Sequence, residues 1–253
     1  METQMKMEQQ DFVLLLEAKS PIIITVPHGG MPARYCGWMD LIFSRRIQPD
    51  NPDLRYIDGE KISVGGDNQI MFLVSDILKE YPANVIIGLL SRSLVDYNRF
   101  VPEVAYSDPD IAKYYQAYHQ MIEREIWRAR KNYGLSAVLL DIHGFGKQPY
   151  PELEFDIILG TAGKSSPNGT DIFLYRKLKE KYRVFCAGQD GLPEENTLYR
   201  GDTTNLIYHE KYGIDGVLIE VAPWFRKDAM LGRELAKDMA LALKELEKKT
   251  KET

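Results

Sequence analysis

The sequence predicts an α/β protein: three layers, α/β/α, around a central mixed, mostly parallel sheet. Three observations carry that expectation. Short apolar runs rich in β-branched residues recur along the chain, and amphipathic segments with helical spacing lie between them. Polar residues with chemical capability also stand where the apolar runs stop. In an open α/β sheet those positions open onto the crevice at the carboxyl ends of the strands, where ligands bind.

The runs predict strands near 21–27, 84–90, 136–142, 156–161, 183–187 and 216–221. Helices are expected near 67–80, 109–132, 168–181 and 226–248. The second helix has the clearest start, with Asp108 as its cap and Pro109 at the first helical position, where a missing N–H costs nothing. Its interior repeats Ile111, Tyr114, Tyr115, Tyr118, Ile122 and Ile126 at helical spacing. The last helix carries Met230, Leu231, Leu235, Met239 and Leu243 on one stripe, which reads as core. Two connections, 29–66 and 188–215, are long and polar and leave the mouth of the crevice. Connections of that length are usually functional or disordered, and lids or substrate-binding walls suit the position.

At 253 residues the chain reads as one domain spanning 1–253, with 1–10 a frayed, flexible terminus. Hydrophobic content of 44% and charged content of 27% are ordinary for a soluble protein. No stretch approaches the roughly 18 apolar residues of a membrane helix, and the start lacks the profile of a secretory signal. A formal net charge of -5 argues against a nucleic-acid surface. Cys36 and Cys186 have no ligand spacing and read as two reduced thiols, so a cytoplasmic location is expected.

His28 ends the run PIIITVP and meets Gly29 and Gly30, which permit a tight turn. His143 repeats the pattern at the end of SAVLLDIHG. Asp141 lies two residues earlier and so on the same face of an extended strand. It would ligate directly or hold His143 from behind. A hydrolytic zinc site takes three protein ligands and keeps an open position for water. The third ligand is open on this reading: Asp67 in VGGDNQI either ligates or caps the helix it precedes, and Asp58 and Glu60 are the fallbacks. Glu220 closes GVLIE in apolar company, where a carboxylate needs a partner or a raised pKa. Beside an activated water it would serve as general base. Asp96, Asn98 and Arg99 follow Arg92 in SRSLVDYNR, and the Asn-Arg pair suits a substrate carboxylate. His119 lies in a helix and His209 in NLIYHEKYG, neither with supporting geometry.

Taken together, VPHGG, GGDNQI, SRSLVDYNR, AKYYQAYHQMI, LLDIHG and GVLIEV, spread over about residues 21–221, resemble the motifs of the N-formylglutamate amidohydrolase family. SRSLVDYNR is the most specific of them. The resemblance implies a phosphorylase/hydrolase-like fold related to the zinc carboxypeptidases. It further implies zinc-dependent cleavage of an amide C–N bond in a small carboxylate-bearing N-acyl amino acid. His28, Asp67 and His143 would then be the metal ligands and Glu220 the general base. Asn98 and Arg99 would bind a substrate carboxylate, with Arg92 and His119 as lesser members of the site. Three positions depart from the family pattern: Gly29 and Gly144 stand in place of serines, and Asp202 in YRGDTTN stands in place of a glycine. Asp202 would add negative charge to the substrate pocket and disfavour a second carboxylate there. A metallocarboxypeptidase-like or γ-glutamyl hydrolase, and a binding protein on the same scaffold, are the alternatives.

Overall fold

The computed structural model describes residues 6–10, 12–29, 54–57, 60–63, 67, 69–90, 92, 94–101, 105–106, 109–150, 152–195 and 198–252. The strands among them are β1 (Lys6–Gln10), β2 (Val13–Glu17), β3 (Ile22–Val26), β4 (Leu54–Ile57), β5 (Glu60–Ser63), β6 (Asn84–Gly88), β7 (Val138–Gly144), β8 (Ile157–Gly160), β9 (Val184–Cys186) and β10 (Asp215–Val221). The α-helices are α1 (Ile70–Glu80), α2 (Ala112–Tyr133), α3 (Thr170–Leu178), α4 (Thr204–Tyr212), α5 (Pro223–Lys227) and α6 (Ala229–Glu252).

Eight strands form one sheet in the order β1-β2-β6-β3-β7-β10-β8-β9, while β4 and β5 pair separately. The centre, β6-β3-β7-β10, is parallel, as is β8 with β9. Antiparallel pairing enters where β2 meets β1 and β6, and where β8 meets β10. β3 and β10 are buried along their whole length, and β7 up to its last residue, as parallel strands covered on both faces must be.

The period of two sorts these strands between two cores. Ile22, Ile24 and Val26 of β3, with Leu140 and Ile142 of β7 and Val217, Ile219 and Val221 of β10, pack against α1, α3, α5 and α6. Ile23 and Leu139 face the other way, against α2 and Tyr208 of α4. The alternation puts Thr25, Asp141, His143 and Glu220 on the α2/α4 face. Polar groups therefore interrupt that core just where the strands end.

All six expected strands and all four expected helices are present. The expected cap at Asp108 lies outside the described residues; Pro109–Ile111 forms a 3-10 turn that leads into α2. The frayed terminus expected over 1–10 is corrected for residues 6–10, which form edge strand β1 in register with β2. The long connections also hold structure: β4 and β5 within 29–66, and α4 within 188–215. Helix α4 has no apolar period because two of its buried residues, Thr204 and Asn205, are polar.

Among the described residues, no helix is long and apolar enough to cross a membrane. Cys186 is buried with its thiol pushed up to about 12, first by burial and then by Asp171, so it is an inert core group.

Candidate metal centre

β3 delivers the first ligand candidate. The chain leaves Val26 through Pro27, and His28 follows, buried beneath the strand ends. Gly29 is required by crowding, since a Cβ there would lie 2.7 Å from Ile87 Cγ2. Asp67 approaches from the entry to α1. Its main-chain carbonyl accepts from Ile70 N at 3.1 Å, while its carboxylate turns away from the helix. The helix-cap alternative is not the arrangement adopted: Gln69 caps α1 with φ 70° and no side-chain cap bond. β7 supplies His143, in register with Glu220 of β10.

The three side chains meet at one oxygen. Asp67 Oδ2 lies 3.1 Å from His28 Nδ1 and 3.0 Å from His143 Nδ1. The rings stand edge to face with centroids 4.9 Å apart. Each imidazole is held from behind by a second carboxylate: His28 Nε2 lies 2.9 Å from Asp96 Oδ1, and His143 Nε2 lies 3.0 Å from Asp141 Oδ2. Asp141 is fixed in turn by Thr25 Oγ1, which donates to its Oδ1 at 2.6 Å.

This donor set fits a divalent cation. Each Nε2 has a carboxylate acceptor of its own in Asp96 or Asp141, so with the ring proton there each Nδ1 would offer a lone pair to an ion. Two imidazole lone pairs and a carboxylate oxygen then converge, an arrangement that repels itself without positive charge between them. Either a cation or a further ring proton must supply it. Without an ion the second solution prevails at His143: burial opposes its charge, but Asp141 and Asp67 outweigh burial and hold it protonated well above the usual histidine range. Burial likewise opposes ionisation of Asp67, yet His28 and His143 keep its carboxyl well below the usual range. The ligating atoms lie within 4.8 Å of one another and all three residues are buried. Carboxylate–histidine pairs behind the ligands are the usual second layer of such sites. Asp58 and the Glu60 side chain, the fallback ligands, lie outside the described residues.

A cavity of about 710 Å³ opens over the triad, lined by Arg92, Asn98, Arg99, Gly144 and Glu220 among others. Glu220 is buried, and its Oε2 has no hydrogen-bond partner among the described residues. Burial pushes its carboxyl up to about 8; His143 pulls it back, and Asp67 and Asp141 add to the rise. Arg92 Nε donates to Asp96 Oδ2 at 2.9 Å, so Arg92 also braces the carboxylate behind His28. Arg99 Nε is 3.8 Å from that oxygen, and its side chain is 40% exposed, within reach of a ligand. Asn98 Oδ1 accepts from Thr204 Oγ1 at 2.7 Å, which fixes its amide so that Nδ2 faces the site, 3.4 Å from His143 Nε2.

His119 is not among the residues lining the cavity. It is packed between Tyr115, Phe100 and Tyr208, with Nδ1 2.8 Å from Tyr208 Oη. Burial pulls its pKa down to about 4, so it is neutral. His209 Nδ1 donates to Ile214 O at 2.8 Å, the structural role expected for it. Asp202 is exposed and lines the cavity.

The strand-end reading names Asp96 without its partner and misses Thr204 and Arg226. Asp96 is bound to His28 across 68 residues, a link no local pattern discloses. Thr204 looks like loop. Arg226, in PWFRK, reads as the lead-in to the last helix, yet its guanidinium lines the cavity over Gly144. The absent side chain at 144 was the available signal.

No protein-family model and no curated protein matches the sequence. Among solved structures, the chain is similar to N-formylglutamate amidohydrolase from Ralstonia eutropha JMP134, with a TM-score of 0.64 at 14% identity over 96% of this chain and 99% of that one. The Atu2144 gene product of Agrobacterium tumefaciens gives a TM-score of 0.57 at 14% identity over 92% and 94%. The fold of this chain is thus similar to that of N-formylglutamate amidohydrolase over nearly its whole length.

Proposed function

We propose that the protein is a zinc-dependent amidohydrolase that cleaves the C–N bond of a small N-acylated amino acid bearing a carboxylate. The observation that carries the reading is the convergence of His28, Asp67 and His143 on one point beneath a cavity that is also lined by the buried Glu220 carboxyl. His28, Asp67 and His143 would hold the ion, with Asp96 and Asp141 fixing the rings. When bound, a zinc-class ion supplies the Lewis acidity that polarises a substrate carbonyl and acidifies a water.

The remaining chemistry belongs to the chain. Glu220 takes the proton from the attacking water and passes it to the leaving nitrogen. Its elevated pKa suits both halves of that transfer, because an acid titrating near the working pH gives and takes with similar ease. Arg99 and the Nδ2 of Asn98 bind the substrate carboxylate and set the amide over the triad. The fold likeness to N-formylglutamate amidohydrolase supports the choice of amide hydrolysis over other metal chemistry.

The reading is tested by metal analysis and turnover together, with N-formyl-L-glutamate and a panel of N-acyl amino acids and peptides as substrates. Glu220→Ala should retain one metal per chain and hydrolyse at least ~100-fold more slowly. His28→Ala and His143→Ala should lose the metal. Normal turnover in Glu220→Ala, or unchanged metal in both histidine variants, would refute it.

A further inference from the structure

The geometry points to a second anion-binding subsite, built on Arg226, on the far side of the triad from Arg99. The substrate therefore carries a carboxylate in its acyl half as well as in its amine half. This rests on the hydrolase reading above and names the substrate class of the same site.

Sheet order separates the two cationic groups. Arg99 follows β6, whereas Arg226 lies on α5, directly after β10. β3 and β7, the strands that bring His28 and His143, stand between them. The Arg226 guanidinium reaches back from α5 to the end of β7 at Gly144, whereas Arg99 lies beside Asp96, behind His28 of β3. Both arginines line one cavity, so a ligand lying across the triad has a guanidinium on either hand.

Arg226 is built into its place. Its Nε donates to Val221 O at 3.1 Å and its Nη2 to Phe145 O at 2.7 Å. The guanidinium is thereby braced against the chain just past β7 and at the end of β10, the strands of His143 and Glu220. It fills the volume a side chain at 144 would take: a Cβ on Gly144 would lie 2.5 Å from Arg226 Cζ. Gly144 thus admits the charge to the cavity wall. The cavity lining as a whole carries Arg92, Arg99, Lys147, Arg200, Arg226 and Lys227 against Asp67, Asp202 and Glu220, so cations outnumber anions there. A formyl group has no charge to offer such a wall, whereas a dicarboxylic acyl group does. Hydrolysis would join the water's hydroxyl to the acyl carbon and its proton to the leaving nitrogen, releasing a dicarboxylate and an amino acid.

The test compares N-succinyl-L-alanine with N-butyryl-L-alanine, probes of equal acyl length that differ in one carboxylate, on the zinc-loaded protein. The wild type should favour the succinyl probe by about 10- to 100-fold in kcat/KM, the scale of one charge-assisted contact. Arg226→Met should collapse that ratio to near one. Gly144→Ala should do the same with Arg226 still present, because the added methyl takes the volume that the guanidinium fills. A wild-type ratio near one overturns the inference, as does a ratio retained by both variants. So does a preference that follows N-formyl-L-glutamate over N-formyl-L-leucine and depends on Arg226, which would place both anions in the amine half. If the wild type hydrolyses none of these probes, the hydrolase reading fails. Calorimetric binding of succinate against butyrate then decides the subsite: tighter succinate binding lost in Arg226→Met supports it, and equal binding overturns it.

Discussion

Glu220 should destabilise the metal-free protein as pH rises, and Glu220→Gln should remove that effect. Its carboxyl is held at about 8 in the folded chain against an ordinary value of 4.5, chiefly by burial. Below the ordinary value both folded and unfolded chains carry the proton, and the group contributes nothing to the pH dependence. Between 4.5 and about 8 the unfolded chain releases the proton while the folded chain keeps it, so stability falls with pH. At about 1.4 kcal/mol per pH unit, linkage gives a loss of about 3–4 kcal/mol between pH 5 and 8.5. Gln keeps the shape but cannot ionise. Any cost of burying its amide is the same at both pH values and cancels. Thermal unfolding of chelated wild type and Glu220→Gln at pH 5 and 8.5 measures the difference. At about 2–4 °C per kcal/mol for a chain of this size, the variant should gain about 10 °C relative to wild type at the higher pH. Effects of titrating groups that do not interact with Glu220 are common to both proteins and drop out. An equal difference at the two pH values would refute the reasoning.

Two further predictions concern the residues behind the site. Asp96→Asn and Asp141→Asn each remove the charge that orients a ligand imidazole, and should weaken metal affinity by about 10- to 100-fold. Competition with a chromogenic chelator reads this, and unchanged affinity in both variants would show that the rings are held by other means. Thr204→Val frees the Asn98 amide to rotate and should raise KM by about fivefold with kcat little changed, the worth of one neutral hydrogen bond. Thr204→Ser should restore it; a loss confined to kcat, or one that Ser does not rescue, would put Thr204 in a structural role.

Much of the fold was legible because its central strands obey a simple rule. Strands covered on both faces must be apolar throughout, so any polar residue at their ends is conspicuous. His28, His143 and Glu220 were found that way, and the structure sets all three around one cavity. Asp67 was harder, since a carboxylate before a helix is most often a cap, and only three-dimensional placement shows its oxygen between two imidazoles. Asp96 and Arg226 were less legible still. Their partners lie far along the chain or are main-chain carbonyls, and neither kind of link leaves a periodic trace. Helix α4 escaped for the opposite reason: Asn205, buried beside Ser165 and the carbonyls of Gly160 and Gly216, is a core residue that looks like a surface one.

The spacing of the triad along the chain has a consequence for how the molecule comes into being. His28 and Asp67 are 39 residues apart, and Asp67 and His143 are 76 apart. The third donor therefore joins the other two only once β7 has paired with β3. A ribosome-bound chain that ends before β7 can offer an ion at most two of the three. A zinc-class ion would act as a late fastener, tying distant segments after the sheet has closed. A protease nick between 67 and 143 would be held shut by the ion, and chelation should release the break.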